Sequence, residues 1–172
     1  MVEIRRIGAG NAADAKLKNE PFSVWGRMIP ALQGGVWSLE TERFAESTEM
    51  CFPDVPYDAA AEDALFLGAY DGTVCVGLAV LRRGMFRYLL LDDLKVVRAY
   101  RGRGIGRRLV EACLDEARAE GLQGVSLVAQ DDNLSACLFY LRCGFELGGF
   151  NNRDYRGTPQ ARKADLYFYR DC

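Results

Sequence analysis

The sequence predicts an α/β chain of the α+β kind: a mixed, mostly antiparallel sheet of roughly six to seven strands with a central parallel pair, flanked by helices. Three observations carry this. Two apolar, β-branched runs, Leu65 to Tyr70 and Thr73 to Leu81, are joined by Asp71-Gly72, a two-residue hairpin signal. A third run, Tyr88 to Val97, leads through a glycine-rich loop directly into an amphipathic pattern beginning at Ile105. Gly124 to Ala129 follows as another strand, and strand, helix, strand in succession make a right-handed crossover between parallel neighbours.

Taken in order, Val2 to Ile7 reads as a short first strand, and Gly8 to Asn11 as a turn into the first helical region. Pro21 to Glu40 mixes aromatics with two prolines and Gly34-Gly35, which predicts short, interrupted helix, with Trp25 and Trp37 in the core. From Glu40 to Asp63 acidic residues outnumber Arg43, the only base there, giving a solvated face that would attract cations if it bordered a site. The hairpin strands follow, then Arg87 to Val97 after a turn near Gly84. Ile105, Leu109, Val110, Cys113, Leu114 and Ala117 fall at helical spacing between Gly104 and Glu120, and Gly121 supplies a stop. Asn133 to Cys143 reads as a second helix capped by Asn133. One of its faces carries Leu134, Cys137, Leu138 and Leu141, the other Asn133, Ala136 and Tyr140. Phe145 to Tyr155 and Ala164 to Arg170 close the sheet as a hairpin.

With 172 residues and 49% apolar content, the chain fits one domain, residues 1–172. The N-terminus lacks the apolar stretch of a signal peptide, and no run approaches the ~20 apolar residues of a membrane span. A cytoplasmic protein with no membrane partner is expected. A net charge of -2 and a basic patch confined to one loop disfavour nucleic acid. The six cysteines lack paired metal spacing and read as reduced, mostly buried thiols, so no metal is expected. Zero histidine removes the commonest general base, leaving carboxylates, tyrosines, cysteines, lysines and water. Oligomeric state is not legible, and a homodimer is compatible with the sequence.

The loop concentrates the chemistry. Gly102, Gly104 and Gly106 lie among Arg98, Arg101, Arg103, Arg107 and Arg108 at a strand-to-helix junction. A helix N-terminus carries roughly +0.5 charge, so bases in the first turn oppose the usual preference and call for an anion. The dinucleotide fingerprint G-x-G-x-x-G fails at its third glycine, and the Gly-Lys-Ser/Thr of a P-loop is absent. What stands is Arg101-x-x-Gly104-x-Gly106, with NLSACLFYLRCGF (Asn133 to Phe145) downstream.

This pairing resembles the GNAT superfamily of N-acetyltransferases and covers roughly the second half of the chain. The resemblance implies the GNAT fold, acetyl-CoA as cosubstrate and transfer without a covalent enzyme intermediate. It implies backbone contacts to the acetyl arm from Leu94, Lys95 and Val96. The pyrophosphate would be held at Arg101, Gly102, Arg103, Gly104, Ile105, Gly106 and Arg107, with Asn133 on the CoA arm and Tyr140 as acid toward the thiolate. LLLDDLKVV followed by YRGRGIG, then CLFYLRCGFELGGFNNRDYRG, is similar to streptothricin acetyltransferases, implying a small cationic amine as substrate and antibiotic resistance by inactivation. The Asp92-Asp93 pair also resembles the acidic pair of polyamine acetyltransferases. Neighbouring strand residues face opposite sides unless a bulge intervenes. Asp92 is taken as the catalytic carboxylate and Asp93 as substrate-binding. Polyamine or protein amine acetylation and a non-catalytic CoA-binding module are the alternatives, the last opposed by Tyr140.

Overall fold

Period-two burial and turn glycines account for most strands in the computed structural model, which describes residues 1–172. The strands are β1 (Glu3–Ile7), β2 (Phe22–Gln33), β3 (Val36–Met50), β4 (Ala64–Asp71), β5 (Val74–Arg83), β6 (Tyr88–Val96), β7 (Gly124–Gln130), β8 (Glu146–Asn151) and β9 (Asp165–Asp171). The helices are α1 (Ile105–Ala119) and α2 (Leu134–Arg142), with 3-10 turns at Ala9–Lys16 and Arg98–Tyr100. Seven strands form one mixed sheet in the order β1-β4-β5-β6-β7-β9-β8, and β2 and β3 form a separate ribbon. The β6–β7 pair is parallel. No helix is long and apolar enough to cross a membrane.

The chain divides into two units. The first comprises Met1–Glu20, Cys51–Ser126 and Asp171–Cys172. In it β4 and β5 form the predicted hairpin, but the turn lies one residue later than read from the sequence: Asp71 still pairs with Val74, and Gly72-Thr73 make the two-residue connection, with Gly72 at φ 61°. Ile7, Ala15, Tyr57, Phe66, Tyr70, Leu78 and Val80 make one core cluster. All six apolar positions read from the helical spacing of α1 are buried, and α1 packs on β4, β5 and β6. Each large side chain so buried contributes about 1.5–3 kcal/mol. Leu109→Ala would cost about 2–5 kcal/mol. Gly121, at φ 66°, ends the helix as expected, its N–H bonding the Arg118 carbonyl.

The second unit comprises Pro21–Met50 and Leu127–Arg170. Here one expectation fails. Pro21 to Glu40 holds no helix but an antiparallel ribbon pairing Phe22 with Met50 through Gln33 with Val36. Val24, Gly26 and Met28 are buried at alternate positions, a period of two that the prolines obscured. Gly34 and Gly35 sit at φ 57° and 79°, the two positive values of a type I′ hairpin turn. Trp25 and Trp37 lie on the half-buried surface of the ribbon and not in the core. The closing hairpin also differs: β8 stops at Asn151, whose side chain accepts the Arg153 N–H in a local turn at 2.8 Å. The loop to β9 is correspondingly longer than predicted.

Candidate active site

The hydrogen bonding along the edge of β6 decides which of its amides are available. β6 pairs with β5 from Leu89 to Val96, but with β7 only at Tyr88, Leu89 and Leu90. Beyond Leu90 its second edge has no strand partner. The Val97 N–H bonds the Val76 carbonyl at 2.9 Å. Bonded pairs alternate along an antiparallel ladder, so Lys95 and Asp93 turn their amides to β5, and Leu94 and Val96 present theirs at the open edge. Of the three residues read as acetyl-arm contacts, two therefore have an outward amide and Lys95 does not. The Val96 carbonyl accepts Arg101 Nε at 2.8 Å, which ties this edge to the loop.

In the loop, Gly102 and Gly104 adopt φ 74° and 77°. Gly104 is the N-cap of α1 with no side-chain cap, and no acidic residue lies in the first turn. The first helical bond runs from the Arg108 N–H to the Gly104 carbonyl. The Ile105 and Gly106 amides thus lack intrahelical acceptors at the positive end of a helix dipole, an arrangement suited to an oxyanion. Ile105 contributes only backbone, since its side chain is buried. The Arg101 and Arg103 guanidinium groups are both engaged within the protein. Arg101 lies 3.5 Å from the Glu20 carboxylate, the same oxygen accepts the Arg98 N–H, and the Arg103 guanidinium stacks 5.1 Å over the Tyr100 ring.

A bulge does intervene at the acidic pair. Val80 pairs with Asp93 and Leu81 with Leu91, leaving Asp92 as the extra residue. Asp92 is exposed and accepts from Arg82 Nε at 3.0 Å, while Arg82 Nη1 holds Asp63 at 2.6 Å. These carboxylates push the Arg82 pKa up, the Asp92 hydrogen bond first. Asp93 is more enclosed, 2.9 Å from Lys95 Nζ and 3.3 Å from the Tyr57 hydroxyl. Lys95 Nζ also donates to Asn19 Oδ1 at 3.1 Å. Burial, then the charges of Asp93 and Asp92, push the Tyr57 hydroxyl well above its ordinary value. Each aspartate therefore already has an internal cation as its neighbour.

In the second unit, Asn133 caps α2 as expected, its Oδ1 accepting the Ala136 N–H at 3.4 Å. Leu134 and Cys137 are buried on the opposite face. Tyr140 is half-buried, edge-on to Phe139 and Phe145 at 5.2 and 5.7 Å and tilted against Phe168 at 6.3 Å. Those rings fix the position of the phenol ring. No three His, Cys, Asp or Glu side chains are grouped as metal ligands. Sequence reasoning missed Glu20, Tyr57, Arg82 and Asn19. Only Tyr57 carried any signal, as an aromatic within an acidic stretch.

An open strand edge with two outward amides, followed by an uncapped helix start behind a glycine turn, offers hydrogen-bond donors of the kind that suit a carbonyl oxyanion and a phosphate. The model of the acetyltransferase (GNAT) family matches residues 35–145, and the chain belongs to that family. It is an acyltransferase. Within the family it is similar to streptothricin acetyltransferase A of Bacillus subtilis (strain 168), 34% identical over 166 residues, 92% of this chain and 94% of that protein. Two crystal structures share the fold over nearly the whole chain. One, from Bacillus anthracis str. Ames and assigned as a streptothricin acetyltransferase in complex with acetyl coenzyme A, superposes with a TM-score of 0.91 at 24% identity, covering 100% of both chains. The other, a nourseothricin acetyltransferase, gives 0.80 at 26% identity, covering 99% of this chain and 98% of that one.

Proposed function

We propose that the chain, acting as one functional domain, transfers the acetyl group of acetyl-CoA directly to a primary amine of a small cationic molecule, with streptothricin-type antibiotics as the first candidates. The observation that carries the proposal is the open edge of β6 at Leu94 and Val96 joined through Arg101 to the uncapped start of α1. The extended similarity to a streptothricin acetyltransferase supports the choice of substrate.

In this reading the Ile105 and Gly106 amides and the glycine turn hold the pyrophosphate, with the arginines adding charge. Asn133 contacts the pantetheine arm. The amine nitrogen attacks the thioester carbonyl carbon, and the carbonyl electrons move to oxygen, where the Leu94 and Val96 amides stabilise the oxyanion. The oxyanion electrons then re-form the carbonyl as the carbon–sulfur bond breaks, and the departing thiolate takes a proton from Tyr140. The proton released by the positively charged nitrogen, passed through water, restores the phenol and leaves the neutral amide. An alkylammonium of pKa ~10.4 must first lose a proton, which at pH 7 costs about 4.6 kcal/mol. Asp92 is the candidate acceptor through water, and Asp93 the candidate ammonium contact. Both roles require the substrate to compete with Arg82 and Lys95.

Thiol release from acetyl-CoA, measured against a panel of streptothricin, spermidine, an aminoglycoside and an amino-terminal peptide, tests the proposal. Fast turnover is expected with streptothricin. Turnover confined to the peptide would replace the small-molecule reading with a protein one.

A further inference from the structure

The ribbon β2–β3 approaches the start of α2 at three points along β2. The Met28 N–H donates to the Asp131 carbonyl at 3.0 Å. Gly26 forms an isolated backbone bridge with Asn133. Trp25 Nε1 donates to Ser135 Oγ at 2.8 Å. The contacts thus fall on residues 131, 133 and 135, bracketing the asparagine that caps α2.

The sequence of β2 is adapted to this approach. A Cβ on Gly26 would run into the Glu42 carbonyl oxygen and stand 2.9 Å from Leu134 Cδ2, so only glycine lets the ribbon come this close. The register of β2 against β3 breaks between Val24 and Gly26, leaving Trp25 outside the ladder. Its indole is thereby released from cross-strand pairing and turned to Ser135, and the Arg43 guanidinium lies 5.0 Å over the ring, holding its plane. A regular strand would place neither feature here.

We infer that Trp25, with Gly26, is a positioning residue for cosubstrate binding: it sets the orientation of Asn133 by fixing the first turn of α2 from outside the helix. The inference rests on the proposed role of Asn133 toward the CoA arm. The Asn133 Oδ1 is engaged by a long cap bond of 3.4 Å to Ala136, which by itself leaves the side chain loosely held. The Trp25–Ser135 bond and the Gly26 bridge restrain the residues on either side of that cap.

Two variants remove the same bond from opposite ends. Trp25→Phe deletes the indole donor and keeps most of the ring, and Ser135→Ala deletes the acceptor at an exposed position. CoA affinity is read by isothermal titration calorimetry, and initial rates give KM for acetyl-CoA and kcat separately. Either variant should weaken CoA about 3- to 10-fold, the range of one lost hydrogen bond, and raise KM for acetyl-CoA without changing kcat more than about twofold. Trp25→Phe with Ser135→Ala should lose no more than either alone. In an Asn133→Ala background neither should weaken CoA further, although both would still lower the melting temperature. That non-additivity separates positioning from simple support of the fold. Unchanged CoA affinity in both variants, or a full loss on top of Asn133→Ala, overturns the inference. A wild-type chain that bound no CoA would instead overturn the function proposed above, and the inference with it.

Discussion

Gly104→Val separates the loop's role in binding from its role in folding, because the structure makes the two effects different in size. Gly104 sits at φ 77° and ψ 3°, in the left-handed region, where a residue with a Cβ is destabilised by about 1–2 kcal/mol. A Cβ there meets nothing within 4 Å, so no packing clash adds to the strain. In a domain of this size each 1 kcal/mol lowers Tm by about 2–4 °C, which sets the expected loss at about 2–8 °C with the fold intact. For the wild type, CoA at 100 times its Kd should add about 2.7 kcal/mol, a rise of roughly 5–11 °C. In the variant the valine methyl groups stand beside the amides of Ile105 and Gly106, and the ligand-induced rise should fall below about 2 °C. Thermal melts with and without millimolar CoA measure both quantities. A variant that keeps the full ligand-induced rise would refute the assignment of this loop to the pyrophosphate. One that no longer folds would show the loop to be structural.

Tyr140→Phe should retain CoA affinity and lose about 10²- to 10⁴-fold in kcat at every pH, whereas Asp92→Asn should recover partly as pH rises and the amine becomes neutral. Paired pH profiles of kcat/KM on one good amine decide this, and equal losses at all pH values would void the division of roles. Asp131 is buried and its carboxyl pKa is raised, mainly by burial. The folded state therefore binds its proton more tightly than the unfolded chain, and the group's contribution to stability falls as pH rises from its ordinary value of 3.8 through the folded value. Asp131→Asn, which keeps the acceptor for the Ala164 N–H, should gain stability relative to wild type at neutral pH and not at pH ~3.5, as denaturant melts at the two pH values would reveal. Burial pushes the Cys113 and Cys137 thiols up to about 12, while Cys51 and Cys172 are exposed. A thiol reagent on the native protein should label the latter pair rapidly and spare the former until unfolding, and fast labelling of Cys113 would contradict the packing of α1.

Local chemistry made the β4–β5 hairpin, to within one residue of its Gly72-Thr73 turn, the six buried positions of α1, its stop at Gly121 and the cap at Asn133 legible in the sequence. Turn residues and helical periodicity act over a few residues, so the chain itself carries them. The same holds for the glycine loop and its place after an apolar strand. The ribbon from Phe22 to Met50 was decided otherwise: its prolines argued against regular structure, and pairing across Gly34-Gly35 together with burial of Val24, Gly26 and Met28 prevailed. Distance along the chain hid the rest of the site. Glu20 reaches Arg101 across 81 residues, and Tyr57 reaches Asp93 across 36. The bulge that lets Asp92 and Asp93 take different partners, Arg82 and Lys95, depends on the register of β5 against β6. Which residue types the site contains was thus set by sequence. Which charge neutralises which, and which amides of β6 point outward, was set only when strands distant in sequence came into register, because electrostatic partners and ladder bonds are fixed by spatial neighbours and not by local pattern.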